Sequence, residues 1–166
     1  MDTKLQKITV NFWFDMNAEE AVEFYTSVFK NSKVMRTTYY SGAGKEINGI
    51  DAGKVMTIEF QIEGQDFLAL NGGPAFQYNE AISFIINCES QEEVDYYWNK
   101  LTEGGDEKAQ VCGWLKDRFG ISWQVVPVEL NDMLVDAETE KMERVTNALL
   151  QMKKLDLNAL RQAYEG

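Results

Sequence analysis

One order of predicted elements occurs twice in this chain, and the repeat constrains the fold more than any other feature of the sequence. In each half an alternating strand leads to a residue that can cap a helix, Asn17 in the first half and Ser90 in the second, each followed three positions later by glutamate. An aromatic pair then follows on each helix, at residues 24–25 and 97–98. The recurrence of cap, acidic position and aromatic pair in the same order indicates an internal duplication.

The strands are predicted from the alternation of apolar and polar side chains, which places every second residue on the same face. In residues 55–62 the apolar face carries Met56, Ile58, Phe60 and Ile62, and Glu59 belongs to the opposite face. Residues 7–14 alternate in the same way. Further strands are predicted at residues 34–40, 67–71, 82–88, 111–116 and 121–126.

This order predicts an α+β fold of two tandem βαβββ modules followed by a helical tail. Module one is expected at residues 5–74 and module two at residues 79–128, within one domain that spans residues 1–166. Over residues 137–165 apolar side chains recur every three or four positions, and Asp156 can cap a second short helix. The tail either packs on its own domain or forms a subunit contact.

The charge of the chain excludes several partners. Lys and Arg number 16 and Asp and Glu number 27, so the formal net charge is -11. Such a field repels phosphate backbones and anionic lipid headgroups, and we therefore expect neither nucleic acid nor a membrane as a partner.

The absence of histidine excludes more chemistry than any other single count. Histidine is the usual general base near neutral pH and the commonest protein ligand of zinc, copper and iron. Catalytic sites that pair serine or cysteine with histidine are therefore excluded. The two cysteines, Cys88 and Cys112, cannot form a disulfide framework, and the amino terminus lacks the apolar region of a signal peptide, so a cytoplasmic protein is expected.

Several longer motifs resemble one protein superfamily. Phe12-Trp13-Phe14 precedes the first helix, and residues 70–74 and 79–84 read LNGGP and NEAISF. With the block at residues 112–127, CGWLKDRFGISWQVVP, and the tail at residues 148–156, they resemble the glyoxalase/bleomycin-resistance/extradiol-dioxygenase superfamily, also called vicinal oxygen chelate. The closer likeness is to its PhnB-like branch, whose members often carry the label of a 3-demethylubiquinone-9 3-methyltransferase domain.

The resemblance implies two curved half-sheets whose helices cover the outer face, while the inner face lines a cavity. It also implies a homodimer. A methyltransferase of the usual S-adenosylmethionine-dependent fold needs a glycine-rich turn after its first strand, and no such turn follows residues 8–14. The sequence therefore disfavours methyl transfer.

In superfamily members that use a metal, the ligands lie at strand positions that correspond here to Thr9, Glu59, Ser83 and Gln124. Glu59 alone of these is a good ligand, because transition-metal sites rely on imidazole, thiolate or several carboxylates. We therefore expect no tightly bound metal and no cofactor. Glu59 is predicted as the functional, and in an enzyme the catalytic, acid of the cavity, and the predicted ligand-binding residues are Thr9, Asn11, Trp13, Ser83 and Gln124.

Three functions are compatible with this pattern. The first is the binding of a small molecule, cationic or planar, in a polar cavity without a tightly bound metal. The second is an enzyme, an isomerase, lyase or transferase with Glu59 as general base, or a metal-dependent activity with a degenerate site. The third is a structural or regulatory protein without a ligand, in which Glu59 is solvated and Trp13 only packs. The sequence leaves open whether the chain is an enzyme.

Overall fold

Residues 5–135 and 138–166 are described by a computed structural model of the chain, which divides into two units between Gln77 and Tyr78. The first unit contains four strands, a long helix and one short helical turn. These are β1 (Val10–Phe14), α1 (Ala18–Val28), β2 (Ser32–Tyr39), α2 (Lys45–Asn48), β3 (Val55–Ile62) and β4 (Gln65–Asn71).

The four strands form one mixed sheet in the order β1-β4-β3-β2. β1 runs parallel to β4, and the other neighbours are antiparallel. α1 packs on one face, where Ile58, Phe60 and Ile62 of β3 are buried while the intervening Glu59 and Gln61 are half-buried. The predicted alternation of β3 is therefore confirmed, and it separates a core face from a second face that α1 does not cover.

A residue from the far end of the unit caps α1, and the predicted cap Asn17 makes no side-chain capping bond. The side chain of Asn71, which is 1% exposed, accepts a hydrogen bond from the Ala18 backbone N–H at 2.9 Å. Its Nδ2 donates to Glu19 Oε2 at 2.7 Å and to the Val55 carbonyl at 3.1 Å. The prediction of an Asn17 cap is wrong because β4 ends beside α1 and supplies a buried amide there instead.

The second unit contains a smaller sheet, in the order β5-β7-β6, and the C-terminal helices. The α+β class is confirmed, and within the described residues this unit has three strands, fewer than the four of a full βαβββ order. A 3-10 turn at Glu107–Ala109 occupies the connection between α3 and β6. The elements are β5 (Phe84–Cys88), α3 (Gln91–Thr102), β6 (Trp114–Lys116), β7 (Ser122–Pro127), α4 (Val128–Val135), α5 (Thr139–Leu149) and α6 (Leu157–Glu165).

Local capping signals in the second unit are confirmed. Ser90 Oγ accepts from the Glu93 N–H at 3.3 Å, and Glu93 accepts in return from the Glu89 N–H at 2.8 Å. Asp156 caps α6 by accepting from the Ala159 N–H at 2.9 Å. Both caps act within one turn of their own helix, so the local sequence is sufficient to specify them.

The tail is helical, and it starts earlier than expected, because α4 follows β7 directly. The predicted start at residue 137 lies outside the described residues. Gln91 ties the tail to α3, since its Nε2 donates to the Leu155 carbonyl at 3.1 Å and its Oε1 accepts from the Leu157 N–H at 2.7 Å. The tail therefore packs on its own unit, around a core of Leu130, Met133, Val145, Leu155, Leu157 and Leu160. No helix in the described ranges is long and apolar enough to cross a membrane.

Candidate functional site

The side of the first sheet that α1 does not cover is called the open face here. Strand register forms two complete rows of side chains on this face, because directly paired residues point to the same side. Each row crosses all four strands from β1 to β2. The first row is Asn11, Leu68, Glu59 and Arg36, and the second is Trp13, Leu70, Thr57 and Thr38.

The β3–β2 half of the open face is polar. Arg36 Nη2 donates to Glu59 Oε1 in a close ion pair, with the Arg36 side chain 71% exposed and the Glu59 side chain 34% exposed. The hydrogen bond and the charge of Glu59 raise the pKa of Arg36, so the guanidinium stays charged at any physiological pH. In the next row the hydroxyls of Thr38 and Thr57 are hydrogen-bonded at 2.5 Å.

A bulge in β2 decides that Arg36 faces Glu59. Val34 pairs with Phe60, and an unbroken antiparallel ladder would then place Met35 opposite Glu59. The register shifts between Val34 and Arg36, so Arg36 takes that position. Sequence alternation missed Arg36, because a bulge changes the face of every following side chain and leaves no reliable signal in the sequence.

The β1 end of the open face is aromatic. The Trp13 indole Nε1 donates to the Gly73 carbonyl at 2.8 Å, and Phe76 contacts the ring edge-on with centroids 4.9 Å apart. The ring lies against Gly72, where an added Cβ would stand 2.2 Å from Trp13 Cζ2. Trp13 is therefore half-buried and held in one orientation by a backbone that only glycine can provide.

Asn11 and Trp13 share the open face with Glu59, as predicted from alternation, but Thr9 lies outside the strand. β1 was expected from residue 7 and begins at Val10. The Gln6 side chain accepts from the Asp66 N–H at 3.1 Å and donates to the Asp66 carbonyl at 2.9 Å. These are the backbone groups of β4 with which the backbone of a longer β1 would pair. Thr9 is exposed, and strand alternation does not orient it.

The other two predicted site residues belong to the second unit. Gln124 Nε2 donates to Ser83 Oγ at 2.9 Å, and both residues are half-buried. Trp114 of β6 pairs with Gln124 in register, while Trp123 points to the opposite face and donates to the buried Asp117 carboxylate at 2.8 Å. Ser83 and Gln124 are thus brought together within their unit.

The four positions carried over from metal-using relatives do not fit a metal site. They offer two hydroxyls, one amide and one carboxylate, and the carboxylate of Glu59 is held by Arg36. Across residues 5–135 and 138–166 no group of three or more His, Cys, Asp or Glu side chains could hold a metal ion. The donor set at these four positions therefore does not support a metal-dependent step.

Cys88 is poorly suited to act as a nucleophile. Cys88 is fully buried, and burial, with a smaller contribution from Glu93, raises the pKa of its thiol to about 12. A thiol with that pKa is protonated at physiological pH and is a poor nucleophile.

A separate cavity of about 440 Å³ lies among the C-terminal helices. Arg161 forms a forked ion pair with Glu129 in its wall, at 2.8 Å through Nε and 2.6 Å through Nη2. This pair lowers the pKa of Glu129. The lining residues are Glu129, Asp132, Met133, Arg161, Tyr164 and Glu165.

A family model described as 3-demethylubiquinone-9 3-methyltransferase matches residues 6–126. The chain belongs to this family. The match ends just before α4, so the cavity of the tail lies outside it, whereas both rows of the open face lie inside. No curated protein matches the chain in sequence.

Solved structures agree with the family assignment. A PhnB protein from Bacillus cereus is 31% identical, with a TM-score of 0.64, and the match covers 74% of this chain and 99% of that one. A fosfomycin resistance protein, FosX, from Listeria monocytogenes, solved with Mn(II) and sulfate, is 16% identical over 81% of this chain and 97% of its own, with a TM-score of 0.50. The resemblance to the vicinal oxygen chelate superfamily and its PhnB-like branch is confirmed; FosX, at this identity, bears on the fold alone.

The family description names a reaction that the residues of this chain do not support. Asp15, Met16 and Asn17 follow β1, and none of them is the glycine that lets a backbone approach a nucleotide-like cofactor. Membership in the family therefore specifies the fold, and the function has to be argued from the open face.

Proposed function

We propose that this protein binds a small molecule with a planar ring on the open face of its first sheet, without a tightly bound metal. The observation that carries the proposal is the register of β1, β4 and β3, which brings Trp13, Leu68 and Glu59 onto one face in adjacent rows. Polar and aromatic groups that converge on one surface are typical of small-molecule sites.

The order of the strands leaves a place for a planar ring between Trp13 and Glu59. Neighbouring strands lie about 4.8 Å apart, so a ring seated on Leu68 and Leu70 of β4 has Trp13 on one side and Glu59 on the other. Leu68 and Leu70 are half-buried and provide an apolar floor. Trp13 is already fixed by Gly72 and Gly73, so little conformational entropy is lost when a ring packs against it.

Glu59 is assigned as the acceptor for a donor group of the ligand. Catalysis with Glu59 as general base is the less favoured alternative, because the Arg36 guanidinium already engages one oxygen of this carboxylate. Ser83 and Gln124 form a hydrogen-bonded pair within the second unit and are proposed as ligand-binding residues of that unit.

The proposal is tested by calorimetric titration with indole, tryptamine, tryptophan and indole-3-propionate. Glu59→Gln is expected to weaken binding of the amine-bearing compounds about 10- to 100-fold, since a charge-assisted hydrogen bond contributes about 1.5–3 kcal/mol. Glu46→Gln, at an exposed glutamate of α2, is the control and should leave the affinities unchanged.

Gly72→Ala examines the aromatic end of the same face. The added methyl group displaces Trp13, so all four compounds, including uncharged indole, are expected to bind more weakly. Gly42→Ala is the matched control, because an added Cβ there meets nothing within 4 Å. Absence of binding by every compound to the unaltered protein would refute the proposal.

A further inference from the structure

We infer that Arg36 sets the charge class of the ligand, and that the open face takes a zwitterion with a planar ring, of the kind an aromatic α-amino acid represents. The ammonium group of such a ligand contacts Glu59 and its carboxylate contacts Arg36. This inference rests on the proposed function, because it concerns the same face and the same ring position.

The first step is electrostatic. The sequence taken alone leaves Glu59 as an unopposed acid and favours cationic ligands, but the structure places a guanidinium in direct contact with that acid. A simple cation that approaches Glu59 is attracted by one charge and repelled by an adjacent one of the same sign as its own. At contact distance these two interactions are of similar size, so a lone ammonium gains little from the pair.

The second step concerns what the pair can still bind. The contact joins Nη2 of Arg36 to Oε1 of Glu59, and the Arg36 side chain is 71% exposed. A guanidinium carries five N–H donors in a planar fork that matches a carboxylate, so most of the Arg36 donors remain available for one. A zwitterion laid antiparallel to the pair places each of its charges beside an opposite one.

The third step places the ring. The remaining members of the two rows are uncharged, and Leu68 lies directly between Asn11 and Glu59 in register. A ring on Leu68 and Leu70 is one strand spacing, about 4.8 Å, from Glu59 and two from Arg36. The charged end of the ligand therefore points toward β2 and its ring toward Trp13.

Three compounds with one shared ring separate the charge classes: tryptophan is a zwitterion, tryptamine a cation and indole-3-propionate an anion. Titration calorimetry of the unaltered protein is expected to show tryptophan binding at least about tenfold more tightly than either of the others. In the Arg36→Gln variant the order of affinities is expected to change. Tryptamine should bind at least as tightly as tryptophan, since the positive charge of Arg36 then no longer lies beside Glu59.

Lys33→Gln is the matched control. It removes the same charge from the same strand, at an exposed residue that pairs with Gln61 and not with Glu59. The Lys33→Gln variant should bind the three compounds in the same order of affinity as the unaltered protein. Thermal unfolding of both variants checks that they are folded, and an exposed ion pair of this kind contributes little to stability.

The outcomes distinguish this inference from the proposed function. If all three compounds bind and Arg36→Gln keeps the original order, or if Lys33→Gln changes the order to the same extent, the role of Arg36 is refuted while ring binding stands. If none of the three compounds and not even indole binds the unaltered protein, the proposed function itself is refuted.

Discussion

At the scale of single residues, the side chains that matter most in the first unit satisfy groups distant in sequence. Asn71 bonds the backbone of Ala18 and Val55 and the carboxylate of Glu19, although it is 1% exposed. A buried, hydrogen-bonded amide adds only modestly to the free energy of unfolding. Removing it leaves its buried partners without hydrogen bonds, and this lowers the free energy of unfolding by more.

Asn71→Ala is therefore expected to lower the free energy of unfolding by about 2–3 kcal/mol, because the buried Ala18 N–H and the partly buried Val55 carbonyl lose their partner. Urea denaturation followed by circular dichroism measures the change. Asn17→Ala is the matched control, since Asn17 makes no capping bond, and its effect should stay within about 0.5 kcal/mol. Equal losses in the two variants would contradict the assignment of Asn71 as the cap of α1.

At the scale of elements, Gln91 makes two of the hydrogen bonds that join the tail to α3. Gln91 lies in the first turn of α3 and bonds two backbone groups that flank the start of α6, the Leu155 carbonyl and the Leu157 N–H. Lys154 adds an ion pair with Asp95 at 2.6 Å, and this hydrogen bond is the main reason that the pKa of Asp95 is lowered.

Gln91→Ala is expected to loosen the start of α6 without unfolding the sheet of the second unit. Hydrogen exchange followed by mass spectrometry should show faster exchange in residues 155–160 and unchanged exchange in β7, because local opening requires less free energy than global unfolding. Glu92→Ala, at the next and exposed position, is the control. Unchanged exchange near residue 157 in the Gln91 variant would show that the two Gln91 bonds are not needed to hold the start of α6.

At the scale of the whole molecule, the first sheet has two edge strands that pair on one side only among the residues the structure describes. β1 and β2 are the edge strands, and Val34 and Met35 on β2 are 53% and 49% exposed. Exposed edges with apolar side chains are surfaces that proteins often cover by association.

We expect a homodimer, as the family resemblance implies, since a second copy is the partner always present at matching concentration. Light scattering at micromolar concentrations should give a mass near twice the 19.0 kDa of one chain. A mass near 19.0 kDa over the whole concentration range would contradict the dimer.

The sequence by itself determined the features that depend on short spacings. Alternation in residues 55–62 assigned Glu59 to the face opposite the core, and the caps at Ser90 and Asp156 were evident because each acts within one turn of its own helix. The family and its fold followed from longer motifs. Residues close in sequence specify the alternation and the caps, so the structure contains them as predicted.

Only the tertiary structure decided which distant groups meet. The bulge in β2 places Arg36 opposite Glu59, and the end of β4 places Asn71 at the start of α1. The Gln6 side chain bonds the backbone of Asp66, where backbone pairing by β1 was expected. Each of these contacts depends on strand register, and a shift of one residue turns a side chain to the other face while leaving the apolar pattern of the sequence unchanged. The charge class that we propose for the ligand was therefore not readable from the sequence, because the proposal depends on the register of β2.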